Sequence, residues 1–237
     1  PRPSGRGASR SRRRHRRTPP HRSDSRRRAG ADRVELCQDL SCGGLTPPLG
    51  LVRECLAHAP DGGLQVLVRP RPGGFTYSPQ EVGQMLRTVT SLLALGHRAP
   101  VRLGLVVGAL RADGQVDTAA AHALRQAAGP APLTFHRAFD QVPDQGRALE
   151  ELIALGYDRV LTPGGHPGAA QVGPLAGLVR QAGERITVLV SGGLRAGNVA
   201  QVVERTGARE VHMRAPAPDG TGTDPGQVRA ILRALGR

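Results

Sequence analysis

The stretch Gly156-Tyr157-Asp158-Arg159-Val160-Leu161-Thr162 decides how this chain is read. An amphipathic, helix-like run over 144–155 leads into Gly156, and a short β-branched run follows over 159–162. Glycine adopts the left-handed conformation that ends a helix. The order is therefore helix, glycine stop, strand. It returns at Gly207-Ala208-Arg209-Glu210-Val211, and its last two parts return at Gly30-Ala31-Asp32-Arg33-Val34. Working outward, the hydrophobic pattern predicts strands at 33–37, 64–70, 101–107, 133–138, 159–162, 187–191 and 210–214. Helices are predicted near 48–58, 79–95, 117–128, 144–155, 170–182, 196–206 and 225–235. Ser78-Pro79-Gln80-Glu81 reads as a capping box with proline at the first helical position. Asp117 and Asp144 read as N-caps, and Gly96, Gly156, Gly207 and Gly236 as left-handed stops. Strict alternation of strand and helix implies a parallel sheet. No Gly-x-Gly-x-x-Gly follows the first strand, which weighs against a dinucleotide-binding doubly wound sheet. Seven strands are one fewer than a closed (β/α)8 barrel requires. By the logic of Gly156 and Gly207, a helix preceded by a strand should end at Gly30. The predicted fold is a TIM-like (β/α)8 barrel over residues 29–237 that lacks its first βα unit.

The place of that unit is held by residues 1–28. The chain of 237 residues carries 33 basic residues, all arginine, and 19 acidic ones, for a net charge of +14. Residues 1–28 hold 12 of those arginines and a single acid, Asp24, a net of +11. The remaining 209 residues are close to neutral. Apart from prolines, residues 1–28 contain one apolar side chain, Ala8, so the segment has no core to bury and is expected to be disordered. Three readings compete for it: a nucleic-acid tail, an organelle transit segment, or sequence that is not native to the protein. The third is preferred, since an Arg-only string rich in Pro, Gly and Ser is what GC-rich DNA gives in an unintended frame. Nucleic-acid binding would rest on this segment alone. No apolar run is long enough to span a membrane, and no charged start leads into an apolar signal region. Three cysteines make no disulfide framework, and a reducing, cytoplasmic compartment is the simpler expectation.

Side chains alternate along a strand. The apolar set Leu133, Phe135 belongs against outer helices, which turns Thr134 and His136 inward. The same parity turns Glu35, Arg69 and His212 inward, with Cys37, Arg71 and Asp140 toward the rim. Barrel active sites lie at this C-terminal face. An enzyme reading makes His136 acid or base, with Glu35 as its partner and Asp140 nearby. Arg69 and Arg71 would hold an anionic or phosphorylated substrate, as would the Gly192, Gly193 and Arg195 loop at a helix start. A Glu35–Arg69 structural ion pair is the alternative. A Cu(I) or zinc site favours thiolates and imidazoles: Cys37 and Cys42 lie five apart across a strand end, Cys55 falls within a helix, and His136 and His212 could join Cys37 in space; buried or incidental thiols are the alternative there.

These motifs resemble the CutC family. The residues that carry the resemblance are Gly30–Cys37, Gly43-Gly44-Leu45-Thr46-Pro47, Arg69-Pro70-Arg71, Phe75-Thr76-Tyr77-Ser78, Thr134-Phe135-His136-Arg137-Ala138-Phe139-Asp140, Arg159–Thr162 and Glu210-Val211-His212. They run from about residue 30 to 215. The resemblance implies a TIM-like barrel, a cytoplasmic homo-oligomer and a role in copper homeostasis, with Cu(I) as ligand through Cys37, Cys42 and His136. The chain departs from the family pattern at its start, where the family's first strand with a Glu and its helix are missing. It departs again at Pro72-Gly73-Gly74 and Thr162-Pro163-Gly164.

Overall fold

The computed structural model describes residues 29–165, 168–218 and 222–237. The readings of residues 1–28 lie outside the described residues. Seven parallel strands form one sheet in sequential order: β1 (Val34–Leu36), β2 (Leu64–Leu67), β3 (Leu103–Val107), β4 (Leu133–Phe135), β5 (Arg159–Thr162), β6 (Thr187–Val190) and β7 (Glu210–Val211). Between and after them run α1 (Leu49–Leu56), α2 (Pro79–Gly96), α3 (Thr118–Ala128), α4 (Gln145–Ala154), α5 (Val172–Ala182), α6 (Val199–Thr206) and α7 (Pro225–Ala234). This is the expected βα alternation, curled into an incomplete TIM-like barrel. Among the described residues, no helix is long and apolar enough to cross a membrane.

Local chemistry places these elements. The Ser78 hydroxyl accepts from the Glu81 N–H while the Glu81 carboxylate accepts from the Ser78 N–H, so two free helix donors are satisfied at once. Asp117 and Asp144 cap α3 and α4 by accepting from Ala120 and Arg147 N–H. Gly156 and Gly207 take positive φ after their helices, as predicted. Gly96 does not. It is the last residue of α2, and His97 follows in right-handed geometry. A side chain at Gly96 would come 3.0 Å from Leu103 Cβ, so this glycine serves close helix–strand packing.

The two faces of the sheet separate as the alternation predicts. Val34, Leu36, Leu64, Val66, Leu105, Leu133, Phe135, Val160, Val188 and Val190 pack with the helices in one core. Glu35, Gln65, Val106, Thr134, Arg159, Leu189, Glu210 and His212 line a cavity inside the sheet, of about 610 Å³. Two glycines make room there. A Cβ on Gly104 would lie 2.2 Å from Gln65 Oε1, and one on Gly108 would lie 2.5 Å from the His136 ring. Strand β4 is shorter than expected. It ends at Phe135, and His136 caps a 3-10 turn over Arg137–Gln141 by accepting from the Ala138 N–H.

Among the described residues the ring is not closed. β1 and β7 are the two ends of the sheet order. Side chains meet across the opening. Arg33 pairs with Glu210, Arg237 with Asp32, and His212 Nδ1 faces Glu35 Oε2 at 3.9 Å. Glu210 also accepts from Arg159 at 2.8 Å. Burial opposes its charge, but Arg159 and Arg33 outweigh burial and hold the carboxyl below the usual range.

Candidate functional site

His136 stands where β4 gives way to its turn, at the C-terminal mouth of the barrel. Its ring is buried. Nδ1 accepts from the Ala138 N–H at 3.1 Å, which leaves the ring proton on Nε2. Nε2 is itself buried and has no hydrogen-bond partner. Burial, aided by the nearby Arg69 charge, drives the pKa of the ring down to about 3. His136 is thus a neutral imidazole with a buried, unused N–H.

Phe75 covers this ring, with centroids 4.8 Å apart, and the Arg69 guanidinium lies 5.0 Å from the other partner of the stack, the Phe75 ring. Arg69, Phe75 and His136 form a column. Phe75 is held over the mouth because its carbonyl accepts from the Leu110 N–H at 2.9 Å. Arg69 is fixed by three carbonyls: its Nη1 donates to Cys42 and Gly44 oxygens at 2.9 Å each, and its Nη2 to Gly73 O at 2.7 Å. Its Nε is buried without a partner. The Glu35–Arg69 pair considered from sequence is replaced by this arrangement. Arg69 ties the loop after β1 to the loop after β2, while Glu35 faces His212.

The other predicted residues have partners of their own. Arg71 pairs with Glu81 and donates to the carbonyls of Pro72, Gly74 and Thr76, so it shapes the 71–77 loop. The Asp140 carboxylate accepts from Thr162 Oγ1 at 2.6 Å and from Arg137 at 3.0 Å, and burial raises its pKa. Gly192 and Gly193 do take positive φ, but the side chain of Asn198 bridges the loop. Its Oδ1 accepts from the Arg195 N–H at 2.7 Å and its Nδ2 donates to Gly193 O. The Arg195 guanidinium donates to Leu194 O. His136, Glu35 and Asp140 therefore sit in three separate sets of contacts.

The donor set does not fit a three-ligand metal centre. Cys37 precedes a loop closed by an antiparallel bridge between Gln38 and Leu45, Cys42 lies within that loop at the end of the 3-10 turn Leu40–Cys42, and Cys42 Sγ lies 3.2 Å from Asp39 O. Cys55 is buried within α1. Among the described residues, no three His, Cys, Asp or Glu side chains group closely enough to hold a metal ion.

Sequence reasoning overlooked Phe75 as the cover of His136, and Gln65 and the Arg33–Glu210–Arg159 network as interior groups. One signal was available. Gly104 and Gly108, within and just beyond the same apolar strand, mark close approach of another group.

Comparison with known proteins agrees with this architecture. The model of the CutC family matches residues 22–217. A CutC family protein of Mesorhizobium japonicum is 48% identical over 188 residues, covering 79% of this chain and 70% of the relative. One from Xanthomonas campestris is 44% identical over 227 residues, covering 87% and 91%. The solved structure of Streptococcus agalactiae CutC, whose name links it to copper homeostasis, superposes with a TM-score of 0.69 at 32% identity, covering 76% of this chain and 86% of that one. An aldolase at 18% identity and a TM-score of 0.55 shares the barrel fold, covering 78% of each chain. The chain belongs to the CutC family.

Proposed function

We propose that this chain binds a small oxygen-bearing molecule, a carbonyl compound, carboxylate or phosphate, at the C-terminal mouth of its barrel. The observation that carries the reading is His136 Nε2–H, a buried donor with no partner. Leaving such a donor unpaired disfavours the folded state by roughly 1–3 kcal/mol, and unsatisfied groups of this kind concentrate where a ligand completes them. Because its pKa lies near 3, His136 stays neutral at pH 7. It serves as a fixed hydrogen-bond donor that polarises an oxygen, in place of the acid–base role expected from sequence. Arg69, with one unpartnered N–H beside it, adds positive potential. Phe75 excludes water from the donor and swings aside for the ligand. A donor held in a dry site toward developing negative charge is the arrangement that favours reactions through an oxyanion or enolate.

A melting screen against carbonyl compounds, carboxylates and phosphate esters tests this. Wild-type protein should gain several degrees with at least one class, and His136→Asn should lose the response. The reading fails where no compound stabilises the wild type, or where the variant responds equally.

Copper homeostasis, carried by the name of the Streptococcus agalactiae relative, gives a second reading. Here Cys37 and Cys42, one just before a short loop and one within it, are the soft donors for Cu(I). Titration with Cu(I) checks it: Cys37→Ser and Cys42→Ser should each weaken binding, and an unchanged affinity removes that residue as a ligand.

A further inference from the structure

We infer that Ser191 is a second anchor for the ligand at the mouth, and that the ligand is a short carbon compound with two oxygen groups: a hydroxylated carbonyl compound or a hydroxy acid. The inference rests on the reading of His136 given above and narrows its substrate class.

The register of the ladder brings the two residues together. Val188 and Val190 pack in the core with the helices, while Leu189 between them lines the interior. Ser191, the first residue after β6, follows Leu189 by two and turns inward as well. Across the sheet, Phe135 pairs with Val160, and Leu161 with Leu189. Carried one residue past Phe135, the ladder runs from His136 through Leu161 to Leu189. A TIM barrel has a shear of 8 over its eight strands, so residues at one height advance by one position per strand. Two strands on from His136, the residue at its height is therefore Ser191. Arg159 shows the same step. Its ladder runs through Thr187 to Ala208, yet its side chain meets Glu210, two residues further on, at 2.8 Å. Gln65, Thr134 and Leu189 repeat it one layer deeper, where all three line one cavity.

Both residues carry an unused polar atom. Ser191 is 4% exposed and His136 5%. Among the described residues, neither Ser191 Oγ nor His136 Nε2 has a hydrogen-bond partner, and both atoms are buried. The Ser191 N–H is already taken by Thr162 O at 3.0 Å, so the hydroxyl is what the residue has to offer. The imidazole N–H and the hydroxyl oxygen would suit each other, yet they do not pair. They stand apart, and one ligand can satisfy both. Gln65 Oε1 is also unpartnered, but it belongs to the deeper layer.

The spacing and the surroundings select the ligand. Strands β4 and β6 lie two sheet spacings apart, about 10 Å along the sheet. Both side chains project into that gap, which leaves room for two oxygens and a few carbons. His136 Nε2–H only donates, so it takes a carbonyl or carboxylate oxygen. The Ser191 hydroxyl both donates and accepts, which matches a ligand hydroxyl. Leu67, Val106 and Leu161 are buried around them and stand outside the helix-facing core. The Arg69 guanidinium is held by three carbonyls. A doubly charged phosphate would meet neutral groups and apolar side chains here, at a high desolvation cost. A neutral or singly charged ligand avoids it.

Ligand-observed NMR titrations with two matched pairs test this: hydroxyacetone against acetone, and lactate against propionate. Wild-type protein should bind the hydroxylated member of at least one pair about tenfold tighter or more, since a site built around a hydroxyl rejects the analogue that lacks it. Ser191→Ala should keep the affinity for the plain member and lose the preference. His136→Asn should weaken both members. Equal binding of both members of each pair by the wild type, or a preference that survives Ser191→Ala, would overturn the second anchor and leave the His136 reading standing. Failure of all four compounds to bind the wild type would overturn both. Without ligand, Ser191→Ala should leave Tm unchanged or raise it, because it removes a buried hydroxyl that has no partner. A fall of several degrees would show that the hydroxyl is bonded within the fold, and would overturn the proposal.

Discussion

Gly108→Ala offers a test in which steric and entropic effects carry opposite signs. Gly108 is not among the glycines with positive φ, so alanine meets no backbone penalty there. With open space around it, such a change would stabilise the fold by about 0.4–1 kcal/mol through the unfolded chain. The added Cβ, however, would lie 2.5 Å from both Cε1 and Nδ1 of His136, where carbon contacts are comfortable at about 3.5–4.0 Å. The ring would have to retreat by about 1 Å. It is held by the Ala138 N–H on one side and by Phe75 on another. Overpacking of this kind costs about 1–3 kcal/mol, and losing the Ala138 bond adds about 1 kcal/mol. The net expectation is a loss of roughly 2–3 kcal/mol, or about 4–12 °C in Tm for a domain of this size. Urea denaturation of the wild type, Gly108→Ala, His136→Ala and the double variant isolates the contact. With the imidazole removed, Gly108→Ala should become neutral or mildly stabilising, a coupling of about 2 kcal/mol or more. Equal effects of Gly108→Ala in both backgrounds, or stabilisation of the wild type, would refute the placement of His136 over Gly108.

Other expectations follow from the same contacts. His136 holds a folded pKa near 3 against about 6.5 in an unfolded chain, so the unfolded state binds the extra proton between those values. Its contribution to stability is complete above pH 6.5 and fades as pH falls toward 3, at about 1.4 kcal/mol per pH unit; denaturation of His136→Asn across this window should lose that slope. Arg69→Lys cannot reproduce a planar fork that reaches the Cys42, Gly44 and Gly73 carbonyls, and should destabilise by about 2–4 kcal/mol, with faster proteolysis within residues 38–45. Glu210→Gln leaves Arg33 and Arg159 facing each other. Since the group is partly solvated, about 1–2 kcal/mol should be lost, and added salt should reduce the deficit in urea melts.

The alternation of strands and helices was legible from residue order because each signal is local. Ser78 and Glu81 cap the same turn, Asp117 and Asp144 accept from the residue three positions on, and Val34, Val160 and Val211 follow a glycine stop at fixed distance. Inward and outward faces were legible for the same reason, since strand periodicity alone separates Thr134 and His136 from Leu133 and Phe135. Partnerships across the barrel were not. Both Glu35 and Arg69 turn inward as expected, yet the arginine finds carbonyls of two neighbouring loops before it finds a carboxylate. Cys37, Cys42 and His136 share a family of motifs without sharing a centre. Gly96 looked like any helix stop, and only the nearness of Leu103 explains it.

The sequence by itself determined the order and type of the elements, the count of seven strands and the residues on each face, since these depend on contacts within a few positions along the chain. The tertiary structure alone decided which polar groups are left unpaired. His136 Nε2 and Gln65 Oε1 want partners because burial removed their water and the fold supplied no replacement, and that balance is struck only once distant strands stand side by side.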